Sequence, residues 1–147
     1  TPGHLSNHIC YQYLDKLFTG DHIMEWSTSV ISPPEGDISQ FINSCEKIYN
    51  LHCKKFYPGH GIPVENPGER IVELIEHRKK REIEILNFLE NREATISQIT
   101  RNIYLNIDQN LLSVASRNVK AHLVDLIIKK QVTVDDISSD TAIYSLL

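Results

Sequence analysis

The chain has 147 residues, a formal net charge of -4, 41% hydrophobic and 23% charged residues. That is ordinary globular composition with length for a sizeable core, and it excludes a disordered or fibrous chain. No apolar run approaches the roughly 20 residues of a membrane-spanning helix, and the acidic balance gives no bulk electrostatic case for a nucleic-acid partner, so such binding would need a local patch.

The opening Thr1-Pro2-Gly3-His4 puts a histidine on a short bend. The run Ile9 to Leu14 alternates like a strand, turns at Asp15-Lys16 and returns through Leu17-Phe18-Thr19. Asp21 therefore falls just past the end of a buried strand, beside a glycine that lets the backbone turn sharply. Tyr57-Pro58-Gly59-His60-Gly61 repeats the arrangement of an apolar strand, a Pro-Gly bend and a histidine. A lone histidine in such a turn is most simply a turn residue. Three ligand-type side chains at three strand ends are another matter, because imidazole and carboxylate hold zinc and related ions in hydrolytic sites and can converge on one rim of a sheet.

Between these motifs, His22 to Pro34 lacks helical periodicity and reads as a loop beside that rim. Trp26 is its one large anchor, and it either closes over the core or lines a substrate cleft with the Ser-Thr-Ser that follows. Asp37 caps a helix with Gln40 as its capping-box partner. Ile38, Phe41, Ile42, Cys45, Ile48 and Leu51 give that helix one apolar face. Lys54 to Tyr57 is a short strand delivering His60. Asn66 and Pro67 start a second helix that runs to about Leu89, with a wholly polar centre from Glu76 to Glu82. That centre is either a solvated face or a patch in which His77, Arg78 and Arg81 grip an anionic substrate.

Asn91 to Ala94 is a polar link, and the domain boundary is placed there, giving domains 1–92 and 93–147. Thr95 and Gln98 form a capping box, Ile96, Ile99 and Ile103 face inward, and Leu111 to Lys130 holds further helix. Gln131 to Val134 and Ala142 to Leu146 alternate as two strands across Asp135 to Thr141. Three helices and a hairpin match a winged helix. Residues 94 to 147 carry five Lys or Arg against five Asp, so packing or dimerising is as fitting a role as binding duplex DNA. Cys10, Cys45 and Cys53 are an odd number without CxxC spacing, which predicts free thiols in a reducing compartment, with the cytoplasm as default.

His4 in TPGHLSNH, Asp21 in LFTGDHIM and His60 in YPGHG resemble the third, fourth and fifth metal motifs of the metallo-β-lactamase superfamily. Trp26 to Val30, the Pro33-Pro34-Glu35-Gly36-Asp37 run and the His77-Arg78 and Arg81-Glu82 pairs resemble the branch that carries a C-terminal winged helix. That branch includes single-strand endoribonucleases and glyoxalase II-like enzymes. The resemblance implies an α/β fold: the C-terminal half of an αββα sandwich followed by a small winged-helix domain. It implies two divalent metal ions, zinc first, with His4 on one, His60 on the other and Asp21 bridging both as the catalytic carboxylate. His8 and His22 are then groups that orient ligands or substrate, and Trp26, His77, Arg78 and Arg81 contact substrate. The family's HxHxDH motif is not in this sequence, so these residues read as the C-terminal part of a longer hydrolase, with metal weakly held or absent in this stretch alone and no turnover expected from it. The substrate implied first is single-stranded RNA, cut at a phosphodiester. A small thioester or ester, as for glyoxalase II-like enzymes, is the alternative, and a non-catalytic interaction or nucleic-acid-binding module comes third. An exposed sheet edge and apolar face would favour a homodimer; no membrane partner is implied.

Overall fold

A computed structural model describes residues 1–137, 139 and 141–147. They form two compact units, Thr1–Arg78 and Lys79–Leu147. In the first unit β1 (Tyr11–Tyr13), β2 (Lys16–Gly20) and β3 (Lys55–Pro58) make one sheet in that order. β1 and β2 are antiparallel, with Tyr11 opposite Phe18 and Tyr13 opposite Lys16. β2 and β3 are parallel, with Leu17 opposite Phe56 and Gly20 opposite Pro58. The first strand is shorter than its alternation predicts. Ile9 and Cys10 stay outside the ladder, and the turn falls at Leu14-Asp15, with Leu14 in the left-handed region at φ 53°.

Alternation along the strands separates two faces. Leu17, Thr19 and Phe56 are buried, whereas Tyr11, Tyr13 and Phe18 are exposed, and Phe18 stacks on Tyr57 with ring centroids 5.5 Å apart. Helix α1 (Ile38–Tyr49) starts where its cap requires: the Asp37 carboxylate accepts from the Gln40 N–H at 2.7 Å. It buries Ile38, Phe41, Cys45 and Ile48. Leu51 lies past the helix end and is exposed, so the apolar stripe is narrower than expected. Ile48 lines small cavities with Leu17 on one side and with Phe56 and Ile71 on another, which marks where α1, α2 and the covered sheet face meet.

Helix α2 (Pro67–Leu89) is continuous through its polar centre. Its first half buries Ile71, Leu74 and Arg78 in the first unit. Its second half gives Ile85 and Leu89 to the core of the second unit, with Ile99, Val119, Leu123 and Tyr144. The division between compact units runs through α2, between Arg78 and Lys79.

In the second unit α3 (Ile96–Ile103) opens on the expected capping box. Thr95 Oγ1 accepts from the Gln98 N–H at 3.4 Å, and Gln98 Oε1 accepts from the Thr95 N–H at 2.9 Å. A 3-10 turn at Gln109–Leu111 leads into α4 (Leu112–Ile128). β4 (Val132–Val134) pairs antiparallel with β5 (Tyr144–Leu146). The expected connection from Asp135 to Thr141 includes Ser138 and Asp140, which lie outside the described residues. Ala94, expected in the polar link, is instead buried and exchanges both backbone hydrogen bonds with Tyr144, at 3.0 and 2.9 Å. That bridge ties the start of α3 to the hairpin. All three cysteines are free thiols, and among the described residues no helix is long and apolar enough to cross a membrane.

These placements rank two substitutions. Leu123→Ala empties a fully buried site in the second core and should cost about 2 to 5 kcal/mol. Thr95→Ala removes only a cap and should cost about 1 kcal/mol. Denaturant unfolding of each variant checks the order; equal losses would contradict the packing described.

Candidate metal centre

The sheet topology gathers the candidate donors before any side chain is considered. β2 and β3 run parallel, so Asp21 and His60, just beyond their C-terminal ends, emerge at the same edge. β1 runs antiparallel to β2, so the residues before it, His8 among them, lie at that edge too. The Gly59 N–H donates to the Gly20 carbonyl at 2.9 Å, which clamps the two loops together. Close approach there requires glycine. A Cβ on Gly59 would stand 2.8 Å from Asp21 Oδ1, and one on Gly20 would stand 2.8 Å from His8 Nε2.

The side chains follow. His60 Nε2 lies 3.5 Å from Asp21 Oδ1. His4 Nδ1 is 2.7 Å from the Val30 carbonyl, which can only accept, so Nδ1 carries the proton and Nε2 presents the lone pair. His4 meets His8 edge to face at 6.1 Å, His8 stacks on His22 at 5.4 Å, and His22 lies against Phe41 at 4.6 Å. Burial, then the neighbouring His8, pushes the His22 imidazole down to about 3, so it is neutral at pH 7. Burial first and His4 second also lower His8. Neutral imidazole is the form that binds metal or accepts a hydrogen bond.

The known proteins that this chain is similar to fit that picture. The family described as Beta-lactamase associated winged helix domain matches residues 95–139. A Beta-lactamase-like protein 2 homolog of Caenorhabditis elegans is 35% identical over 133 residues, covering 88% of this chain and 42% of that protein. An atrochrysone carboxyl ACP thioesterase of Aspergillus fumigatus is 33% identical over 93 residues, covering 62% of this chain and 28% of its own length. A solved metallo-β-lactamase family protein from Thermus thermophilus superposes with a TM-score of 0.82 at 21% identity, over 100% of this chain and 48% of that one. The chain belongs to the metallo-β-lactamase superfamily. It carries the C-terminal half of that fold and a winged helix, and it spans less than half the length of these relatives.

Metal use is general among metallo-β-lactamase proteins, and the donors here fit it in kind and in part. Asp21 and His60 are paired, and His4 is oriented with one nitrogen available. Among the described residues, however, no three His, Cys, Asp or Glu side chains come together closely enough to hold an ion. The three expected ligands are thus a pair plus one oriented imidazole, not an assembled triad.

The other expected site residues divide sharply. Trp26 is 68% exposed and packs against Gly61, where a Cβ would stand 2.5 Å from the indole Cδ1. Arg78 turns its charge into the protein. It is 2% exposed, donates to the Ser29 carbonyl and lies 5.2 Å from the Phe41 ring. Arg81 is also engaged: it pairs with Glu84 and lies 4.4 Å over the Tyr104 ring, inside the second unit. His77 is half-buried. The polar centre of α2 is therefore not a uniform solvated face, and two of its cations are held by protein groups.

Of two further contributors, Arg70 was not singled out in the sequence and Ser29 only as part of the Ser-Thr-Ser beside Trp26. Arg70 donates to the Met24 and Ser27 carbonyls, each at 2.8 Å. Ser29 donates to the carbonyls of Asp21 and His22, the latter at 2.7 Å. The Arg70 and Arg78 bonds to the loop span 43 to 49 residues, so no local pattern announces them.

Trp26 is the one tryptophan of the chain, which makes its contact with Gly61 directly measurable. Gly61→Ala should displace the indole and shift the fluorescence emission, with a backbone penalty of about 1 kcal/mol or more because Gly61 has φ 84°. Gly68→Ala, where a Cβ makes ordinary contact with Tyr49 at 3.6 Å, should leave the emission unchanged. Identical spectra from both variants would rule out the packing of Trp26 on Gly61.

Proposed function

We propose that these residues belong to a metal-dependent hydrolase that cuts phosphodiester bonds in single-stranded RNA. The observation that carries this reading is the meeting of Asp21 and His60 at the ends of parallel strands, with an exposed Trp26 held beside His60 through Gly61. His4, Asp21 and His60 would hold divalent metal, zinc first, with Asp21 shared between two ions and further ligands supplied from outside these residues. When bound, such ions supply Lewis acidity and an activated water. Asp21 Oδ1 and His60 Nε2 face each other across 3.5 Å, so both would reach the same ion-sized space. His4 keeps its proton on Nδ1, so its Nε2 stays a donor of electrons and not of protons. The neutral His22 and His8 keep the site's charge low and shape its apolar back wall with Phe41.

RNA is favoured over a small acyl substrate by the exposed indole, since a base can stack on it whatever its sequence, and by the resemblance to a branch that includes single-strand endoribonucleases. The buried Arg78 and the engaged Arg81 take no part in that preference. Thioester hydrolysis is the second reading, supported by the similarity to a fungal protein named as an acyl-carrier thioesterase. Three free thiols support a reducing compartment such as the cytoplasm.

The test compares a labelled single-stranded oligonucleotide with an acyl thioester, using full-length protein. Cleavage of RNA should stop with chelator and return with zinc or manganese. Asp21→Asn should lower turnover by about a hundredfold or more. Trp26→Ala should raise KM for RNA about 5- to 150-fold, the equivalent of about 1 to 3 kcal/mol of stacking, with little effect on a thioester. Turnover of thioester alone would establish the second reading, and metal-independent turnover would end both.

A further inference from the structure

We infer that Ser29, held by Arg78, is a positioning residue for both halves of the metal centre, orienting Asp21 through its hydroxyl and His4 through the adjoining Val30 carbonyl. The inference rests on the metal-site reading above and adds how α2, a helix without a ligand, controls it.

The geometry is a relay through two successive residues, Ser29 and Val30. The Ser29 hydroxyl donates to the carbonyls of Asp21 and His22, closing the loop on itself. The Ser29 carbonyl accepts from Arg78, and the next carbonyl, that of Val30, accepts from His4 Nδ1 at 2.7 Å. Moving the Ser29–Val30 segment would therefore disturb the backbone at Asp21 and remove the hydrogen-bond partner of His4 Nδ1 together. Arg78 resists that movement because its guanidinium cannot lose its charge and, at 2% exposure, needs protein acceptors. Arg70 pins the same loop earlier in its course, at Met24 and Ser27. Ser29 itself is buried, so it acts through Asp21 and His4 and not on substrate. Such outer partners of metal ligands typically change affinity by about 10- to 100-fold when removed.

The experiment uses full-length protein and two readouts. In metal-free wild type at pH 7, side-chain nitrogen shifts should show His4 as the Nδ1–H tautomer; the Nε2–H tautomer would overturn the proposal without any variant. Zinc affinity, measured by competition with a chromophoric chelator, should fall about 10- to 100-fold in Ser29→Ala and recover in Ser29→Thr, which keeps the hydroxyl. Arg78→Lys should mix the His4 tautomers. Wild-type zinc affinity in a folded Ser29→Ala protein, with the His4 tautomer unchanged, would refute the positioning role and leave the metal centre standing. Wild-type protein that takes up no zinc would overturn the metal-site reading and this proposal with it.

Discussion

A permanent charge buried at 2% exposure organises the first unit. An arginine cannot neutralise itself when it leaves water, so the fold around Arg78 has to bring acceptors to it or lose several kcal/mol. One acceptor comes from the loop after β2, as the Ser29 carbonyl, and the Phe41 ring face supplies a second favourable contact at 5.2 Å. The loop therefore cannot adopt an arbitrary path between Asp21 and the start of α1. Its length without helical periodicity looks permissive in the sequence, yet its backbone carbonyls at Met24, Ser27 and Ser29 are each taken up by an arginine of α2.

What was legible in the sequence was what local chemistry decides. Asp37 and Thr95 announce helix starts because their side chains satisfy backbone donors only two or three residues on. Asp21 and His60 at strand ends follow from the alternation of β2 and β3, together with the glycines that let the two loops approach. The inward turn of Arg78 was legible only in part: it stands four residues after Leu74 and seven before Ile85, on the buried stripe of α2, but an arginine at such a position does not say what it meets. Its partner lies 49 residues away, and only the folded chain reveals that this position of α2 faces the Ser29 loop. The same limit hid Arg70.

Arg81 shows a second way in which a polar run misleads. Read along the sequence, it continues a cationic patch begun by Arg78. In the fold, three residues further along α2, it has passed into the second unit, lies flat over Tyr104 and pairs with Glu84. Planar guanidinium suits that arrangement in a way that an ammonium does not. Lys129 of the same unit reaches both Asp125 and Glu82 at 2.8 Å. The charges in the centre of α2 are thus divided between the two units.

The contrast between the covered and open faces of the sheet bears on how the metal centre is built. α1 and α2 cover the face with Leu17, Thr19 and Phe56, and from that side come the two groups that steady the donors: Phe41 behind His22, and Arg78 behind Ser29. The donors themselves sit in loops at the strand ends, where a glycine at 20, 59 or 61 allows backbone and side chain closer than any Cβ would permit. Rigidity and reactivity are therefore assigned to different parts of the chain. The helices hold no candidate ligand but limit the loop, and the loops hold the candidate ligands but depend on the helices for their shape. A ligand set distributed in this way can lose orientation through a change at Ser29 or Arg78 while every donor atom remains in the sequence. For that reason the identity of His4, Asp21 and His60 alone is a weaker guide to a working centre than the carbonyl positions that aim them.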